Sequence, residues 1–451
     1  MRAREPRPRI MTPDTPAAPA RTIVVTPFLK AARSRDAAPA RPPAARLDEA
    51  VGLTRAMAVD VVGAEIVPVS RPRPSTLIGE GAIAGLKAII AENQAALAVF
   101  DTHLTPIQQR NLEKALDCKV IDRTALILEI FGERARTREG TLQVELAHLS
   151  YQRSRLVRSW THLERQRGGL GFVGGPGETQ IEIDRRLIGE RIARLKAELE
   201  EVKRTRTLHR AARKRVPFPV VALVGYTNAG KSTLFNRLTR ASVFAEDMLF
   251  ATLDPTMRRV TLPSGRQIIL SDTVGFVSDL PTELIAAFRA TLEEVLEADL
   301  ILHVRDVSHP DADAQRDDVV TVLEDLGVDE DALRVSGLEV ANKIDRLDLD
   351  SREYWRARAE RTDGLIAISA QTGEGMDDLL RAVDAHLSAR HREVTVTLGH
   401  AEGRDIAWLY DRGDVTARED GDFGVRLTVR LSADDLARWD VLRRRNGGDA
   451  G

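Results

Sequence analysis

Val220-Val-Ala-Leu-Val-Gly-Tyr-Thr-Asn-Ala-Gly-Lys-Ser232 decides the fold. Val220 to Val224 is a short, continuous apolar run of strand length. It leads into Gly225-Tyr-Thr-Asn-Ala-Gly-Lys-Ser232, a G-x-x-x-x-G-K-S spacing, and an amphipathic stretch, Thr233–Thr239, follows. Strand, glycine turn and helix start, in that order, are what a phosphate-binding loop requires. Successive backbone N–H groups from Gly225, Tyr226, Thr227, Asn228, Ala229 and Gly230, with the helix dipole behind them, make an anion site. Lys231 would set its ammonium on the β- and γ-phosphates. The Ser232 hydroxyl is a ligand for Mg²⁺.

Three later motifs narrow the nucleotide. Asp272-Thr-Val-Gly275 follows a second apolar run, Gln267–Leu270. Asp272 would hold Mg²⁺ through a water, with Thr273 and Val274 carrying the chain to Gly275, whose N–H would sense the γ-phosphate. Asn342-Lys-Ile-Asp345 reads the base. The Asp345 carboxylate accepts two N–H bonds that guanine offers and adenine does not, and leaving such a buried group unpaired is costly. Lys343 would pack its stem along the base, beside Ile344, and Asn342 would tie the phosphate loop to the base site. Ser369-Ala370-Gln371 supplies a backbone amide to guanine O6. Four motifs in this order separate a GTPase from a P-loop kinase or ATPase.

Between the first two motifs lies Phe250-Ala251-Thr252-Leu253-Asp254-Pro-Thr256. A second hydroxyl for Mg²⁺ should come from here, and Thr252 and Thr256 both qualify chemically. Lys231 and Gly275, with Thr252 or Thr256, are the candidate catalytic groups. The position after Gly275, where a Gln could orient the attacking water, holds Phe276. A phenyl ring cannot do that, so either another residue orients the water or a partner completes the site, and slow intrinsic hydrolysis with a large partner stimulation is expected.

The rest of the chain frames this centre. At roughly 150 residues per domain, 451 residues allow about three domains. Charged residues make up 30% and the formal net charge is -2, so the class is globular and a uniformly basic coat is excluded. One cysteine, Cys118, rules out a disulfide framework and cysteine-rich metal sites, and points to a reducing cytoplasm. No apolar run approaches the ~18 residues of a membrane span. Residues 1–21 read as a disordered tail, part of a Pro/Ala/Arg-rich stretch reaching about Arg46 that is interrupted by a strand-like Thr22–Phe28. Strands and helices then alternate: a helix at Leu47–Met57, strands at Val61–Val69, Ala95–Phe100 and Lys119–Asp122, and helices at Gly81–Asn93 and Pro106–Leu116. This predicts a small N-terminal α/β domain over residues 22–136.

Residues 137–216 carry two apolar seams of coiled-coil type, Leu142, Leu146, Leu149, Arg153, Leu156, Trp160 and then Ile188, Ile192, Leu195, Leu199, Val202. Six glycines between Gly168 and Gly177 predict a glycine-rich tip between two antiparallel helices. From Tyr151 to Val216 there are 17 Lys/Arg against 8 Asp/Glu, an asymmetry that points to an anionic macromolecule. The GTPase domain, with a mixed, mostly parallel sheet, is expected over 217–390. Residues 391–451 predict a small α+β domain of β-α-β-α order, with strands at Val394–Leu398 and Phe423–Leu431 and helices at Ala401–Tyr410 and Ala433–Leu442.

With these motifs in hand, the chain resembles the HflX family of ribosome-associated P-loop GTPases. Gln166-Arg-Gly-Gly-Leu-Gly-Phe-Val-Gly-Gly-Pro-Gly-Glu-Thr-Gln180 resembles the family's glycine-rich segment, Phe250–Thr256 its switch I, and Asp272–Phe276 with the following Val-Ser-Asp-Leu-Pro281 its switch II. The resemblance selects Thr252 over Thr256 as the Mg²⁺ ligand. It implies GTP-dependent binding of a monomer to the large ribosomal subunit and its rRNA, with hydrolysis stimulated there, and a role in splitting ribosomes under stress or in their biogenesis. DNA is not an expected partner. Related GTPases with Asn at the position of Asn228 bind K⁺ beside the phosphates, so K⁺ is a further expected ion. The alternative from the residues alone is a regulatory GTPase with a protein or membrane partner.

Overall fold

The computed structural model describes residues 19–29, 41–166, 180–213, 218–239, 250, 256–278, 295–389, 391–399, 401–421 and 424–446. These fall into two compact units, Met1–Leu126 and Ile127–Gly451.

The first unit is built on four parallel strands, β1 (Arg21–Leu29), β2 (Asp60–Val69), β3 (Leu97–Phe100) and β4 (Lys119–Asp122), in the order β2-β1-β3-β4. The strands are apolar where they meet helices: Ile23, Val24, Val25, Ala98, Val99 and Phe100 are fully buried. Helices α1 (Pro43–Arg55), α2 (Glu80–Asn93) and α3 (Pro106–Leu116) complete the alternation. Thr105 begins α3 with a capping box to Gln108, Pro106 presets its first turn, and Asp117 ends it in left-handed backbone at φ 56. Two expected bounds shift. The first helix starts at Pro43, not Leu47, because Pro at the first helical turn has no N–H to lose. The strand expected from Ala95 starts at Leu97, since the N–H of Ala95 still caps α2 by donating to Ile90.

In the second unit, α4 (Arg123–Arg134), which begins in the first, leads into two long helices, α5 (Arg138–Gln166) and α6 (Gln180–Arg213). Leu142, Leu146 and Leu149 pack with Leu195, Leu199 and Val202, and Arg191 donates two hydrogen bonds to Glu145. Arg153, placed in the seam by its spacing, is exposed instead: its guanidinium keeps its water where the seam opens. The glycine tip and the side chain of Trp160 lie outside the described residues.

The central sheet has six strands, β5 (Val220–Val224), β6 (Thr256–Thr261), β7 (Gln267–Asp272), β8 (Leu300–Asp306), β9 (Gly337–Asn342) and β10 (Leu365–Ala367). Their order is β10-β9-β8-β5-β7-β6, and β6 alone runs antiparallel to its neighbour. This is the mixed, mostly parallel sheet expected. On one face α7 (Lys231–Thr239) and α11 (Met376–Ala389) bury Leu234, Phe235, Leu379, Val383 and Leu387 against Leu223, Leu302 and Val340. Beyond it lie α8 (Ala312–Asp325), α9 (Glu330–Ser336) and α10 (Leu349–Arg361), and α10 sets Trp355 against Ala341 and Leu365.

The last element group differs from its expected order. It contains β11 (His391–Leu398), α12 (Gly403–Arg412), β12 (Asp414–Gly421), β13 (Gly424–Ser432) and α13 (Ala433–Asn446), so it is β-α-β-β-α with sheet order β11-β13-β12. The added edge strand, β12, is polar and exposed nearly throughout, and an edge strand needs no apolar alternation. Leu427, Val429 and Leu431 of the central β13 are fully buried, and Trp408 of α12 stacks on Trp439 of α13 at 5.4 Å. Among the described residues no helix is long and apolar enough to cross a membrane.

Candidate functional site

The site gathers at the carboxyl ends of β5, β7, β8 and β9, where parallel α/β sheets place their ligands. β5 ends at Val224, and the loop Gly225–Gly230 returns into α7. Gly230 has φ 94, and a Cβ there would stand 2.3 Å from the Asn342 amide nitrogen, so only glycine allows this turn. Asn228 stands exposed with φ 59. Lys231 is buried. Its ammonium donates to the carbonyls of Gly225 at 3.0 Å and Tyr226 at 2.8 Å. Burial pushes its pKa down to about 8, with Asp272 working in the opposite direction.

Ser232 Oγ donates to Asp272 Oδ2 at 2.7 Å. Two hard oxygen donors from two different motifs thus meet at one point beside Lys231, a donor set that fits Mg²⁺. The segment after Asp272 is drawn against the phosphate loop. Thr227 N–H donates to the Phe276 carbonyl at 2.7 Å, and Phe276 N–H to the Gly225 carbonyl at 3.1 Å. Ser278 N–H donates to the Tyr226 hydroxyl at 2.8 Å. Gly275 lies so near that a Cβ would be 2.9 Å from Thr227 Cα and 3.1 Å from Lys231 Nζ. Thr273 Oγ1 donates back to the Leu223 carbonyl, and Val274 is buried. Phe276 is 1% exposed, so its ring is core.

The base side is equally joined. Asn342 Nδ2 donates to the Ala229 carbonyl at 2.8 Å, and its Oδ1 accepts from Ala370 N–H at 2.9 Å. One amide side chain therefore spans the phosphate loop and the Ser369–Gln371 turn. Lys343, in left-handed backbone at φ 67, donates to Asp306 at 2.7 Å, and Ile344 is buried beneath it. Asp345 Oδ1 is buried with no hydrogen-bond partner among the described residues. An orphaned carboxylate oxygen is expensive, and a ligand N–H is its natural complement. Ser369 N–H is given to Glu374 and Ala370 N–H to Asn342, which leaves the exposed Gln371 amide as the turn's available donor.

Of the remaining candidates, Phe250 is buried and Thr256 begins β6, while Ala251, Thr252, Leu253 and Asp254 lie outside the described residues, as do Asp279–Pro281. The geometry adds supports that no local motif announces. Asp306 anchors Lys343, and Arg237 of α7 donates to the Ala370 carbonyl at 2.6 Å. Tyr226 fastens Ser278 through its hydroxyl. These are long-range partners, and nothing in the spacing of the sequence pairs them.

A phosphate loop, a joined hydroxyl–carboxylate pair and an orphaned base-side carboxylate define a P-loop nucleotide-binding protein of the guanine-specific kind. The comparisons agree. Residues 44–132 match the family model described as GTP-binding GTPase N-terminal, 134–213 the GTP-binding GTPase Middle Region, 220–336 the 50S ribosome-binding GTPase, and 355–449 the HflX C-terminal domain. The chain is 51% identical over 401 residues to GTPase HflX of Magnetococcus marinus, covering 89% of this chain and 91% of that one. It is 45% identical to GTPase HflX of Escherichia coli, covering 81% and 85%. Among solved structures, a GTP-binding protein from Sulfolobus solfataricus in complex with GDP is similar at TM-score 0.43 and 22% identity, over 82% of this chain and 99% of that one. The chain belongs to the HflX family, and it is a GTPase.

Proposed function

We propose that this GTPase works on the large ribosomal subunit, docking through the α5–α6 hairpin onto rRNA when GTP is bound. The observation that carries the reading is the hairpin itself. Leu142, Leu146, Leu149, Leu195, Leu199 and Val202 are spent on the seam between its own helices, while Arg185, Arg186, Arg194 and Lys196 stand exposed along α6. Exposed basic residues on α6, in a segment with 17 Lys/Arg against 8 Asp/Glu and a glycine-rich stretch, suit a phosphate backbone. The description of the family model over 220–336, a 50S ribosome-binding GTPase, supports the same partner.

In this reading the loop amides of Gly225–Gly230 and Lys231 hold the phosphates. Asp345, with Lys343 and Asn342, selects guanine. The Gln371 N–H meets O6, with Ser369 and Ala370 shaping the turn that presents it. Ser232 and Thr252 would hold Mg²⁺ directly and Asp272 through a water, and the ion would supply charge neutralisation to the phosphates. The γ-phosphate needs room between Lys231 and Gly275. GTP therefore has to ease the Gly275–Phe276 segment off the loop, whereas GDP does not, and that difference is the switch. The buried Phe276 ring cannot orient the attacking water, and in this reading the ribosome completes the site. Asn228, exposed at the loop tip, would add K⁺ as a second charge there; equal turnover in K⁺ and Na⁺ at matched ionic strength would sink that part.

The test is co-sedimentation of the full chain with separated ribosomal subunits in GDP, GTP or a non-hydrolysable analogue, with phosphate release read in parallel. Binding to the large subunit that needs the triphosphate, with faster hydrolysis, supports the reading. No binding in any nucleotide state moves the hairpin to a protein or membrane partner and leaves the GTPase chemistry intact.

A further inference from the structure

Arg237 lies on α7, the helix that starts at Lys231 and Ser232. Its guanidinium reaches away from that start. Nε donates to the Ala370 carbonyl at 2.6 Å and Nη2 to the Gln371 carbonyl, 133 and 134 positions along the chain. One planar fork thus grips two successive carbonyls. Gly373 lies against it with φ 95, and a Cβ there would stand 2.8 Å from Arg237 Nη1. Among the described residues Arg237 has no carboxylate partner, so its charge goes to these carbonyls. The far end of the turn is tied separately, since the Glu374 carboxylate accepts from Arg352 and Arg356 of α10. The Ala370 carbonyl and the Gln371 N–H belong to one peptide unit. No peptide bond among the described residues is cis, and in a trans unit the two groups point in opposite directions. Holding the carbonyl toward α7 therefore turns the N–H away from it. That N–H is the donor the turn has left, because Ser369 N–H is given to Glu374 and Ala370 N–H to Asn342. A cation on the carbonyl also polarises the unit and strengthens its N–H as a donor.

We propose that Arg237 is a positioning residue for guanine recognition, fixing the Ala370–Gln371 peptide so that its N–H meets O6. The inference rests on reading that N–H as the O6 donor. It makes one helix serve both halves of the nucleotide. Lys231 and Ser232 at its start face the phosphates and Mg²⁺, and Arg237 further along aligns the turn that meets the base. Building both on one rigid element keeps the two half-sites in register.

The experiment titrates the full chain in Mg²⁺ with three diphosphates, read by calorimetry. GDP is the reference. Inosine diphosphate keeps O6 and N1–H but lacks the amine at position 2. 6-Thioguanosine diphosphate keeps both N–H groups that Asp345 reads and carries sulfur, a weak acceptor, in place of O6. Arg237→Ala should weaken GDP and inosine diphosphate by the same factor, about three- to tenfold, the size of one hydrogen bond, and leave 6-thioguanosine diphosphate within about twofold. That pattern is a cycle between a side chain and one atom of the base, and general damage to the fold does not produce it. Arg237→Lys keeps the charge but not the fork, and should lie between the unaltered chain and Arg237→Ala. An equal loss on all three nucleotides, or no loss on GDP in Arg237→Ala, overturns the proposal. The unaltered chain separates the two layers. If it holds 6-thioguanosine diphosphate as tightly as GDP, the turn does not read position 6 and the base-site reading falls with the proposal. If it discriminates and Arg237→Ala does not erode the difference, only the positioning role falls.

Discussion

Asp345 keeps one carboxylate oxygen buried and unbonded, and Lys231 keeps an ammonium buried against two carbonyls. Both are costs that a nucleotide relieves. Asp345→Asn should weaken GTP by about 10²–10⁴-fold and bring xanthine nucleotide up, since an amide can donate to an oxygen at position 2. Direct titration of both nucleotides checks this, and an unchanged GTP preference would remove Asp345 as the base reader. For Lys231, burial pushes the pKa down to about 8, below the 10.5 of an ordinary lysine. The folded state therefore binds fewer protons than the unfolded state between those values, so this group makes stability rise with pH from about 8 to 10.5, and its slope dies away as pH falls below 8. Phosphate binding restores the charged form. GDP binding at pH 8.5 should take up protons, and at pH 7 should take up none through this group. Calorimetry in buffers of different ionisation enthalpy reads that difference, and Lys231→Arg, whose guanidinium stays charged, should abolish it.

At the scale of elements, the phosphate loop and the hairpin were written plainly into the chain, because each depends on local spacing. G-x-x-x-x-G-K-S between a strand and a helix needs no distant partner to be recognised, and a four-three apolar repeat announces its own seam. What escaped was β12. An exposed edge strand buries almost nothing, so its residues follow no period, and only pairing to β13 makes it a strand. Arg153 escaped for the complementary reason: spacing put it in the seam, but its charge was worth more in water. Leu195 is the seam's centre, fully buried with Leu142 and Leu199. Leu195→Ala should destabilise the hairpin by about 2–4 kcal/mol. Hydrogen exchange should quicken along α5 and α6 while GDP affinity stays put; an unaltered exchange pattern would mean the seam is not what holds the helices together.

At the scale of the whole molecule, the chain is nearly neutral yet its hairpin is strongly basic, so partner binding should carry a salt signature. If the hairpin contacts rRNA phosphates, affinity for the large subunit should fall steeply with salt, about 10³-fold between 50 and 200 mM for six contacts. Charge reversal at the exposed Arg194 and Lys196 should flatten that slope without moving GDP affinity, as measured by sedimentation across a salt series. A shallow slope in the unaltered chain would favour an apolar protein contact instead.

The sequence by itself determined the nucleotide chemistry, the alternation of strands and helices around the phosphate loop, and the excess of Lys and Arg in the helical hairpin, because these rest on residue type, short spacing and periodicity. Tertiary structure alone decided which distant groups close the site: Asn342 across Ala229 and Ala370, Ser232 on Asp272, and Tyr226 on Ser278. These hydrogen-bonded pairs join residues from 28 to 113 positions apart, and the chain carries no mark of them until strands and helices bring the partners within reach.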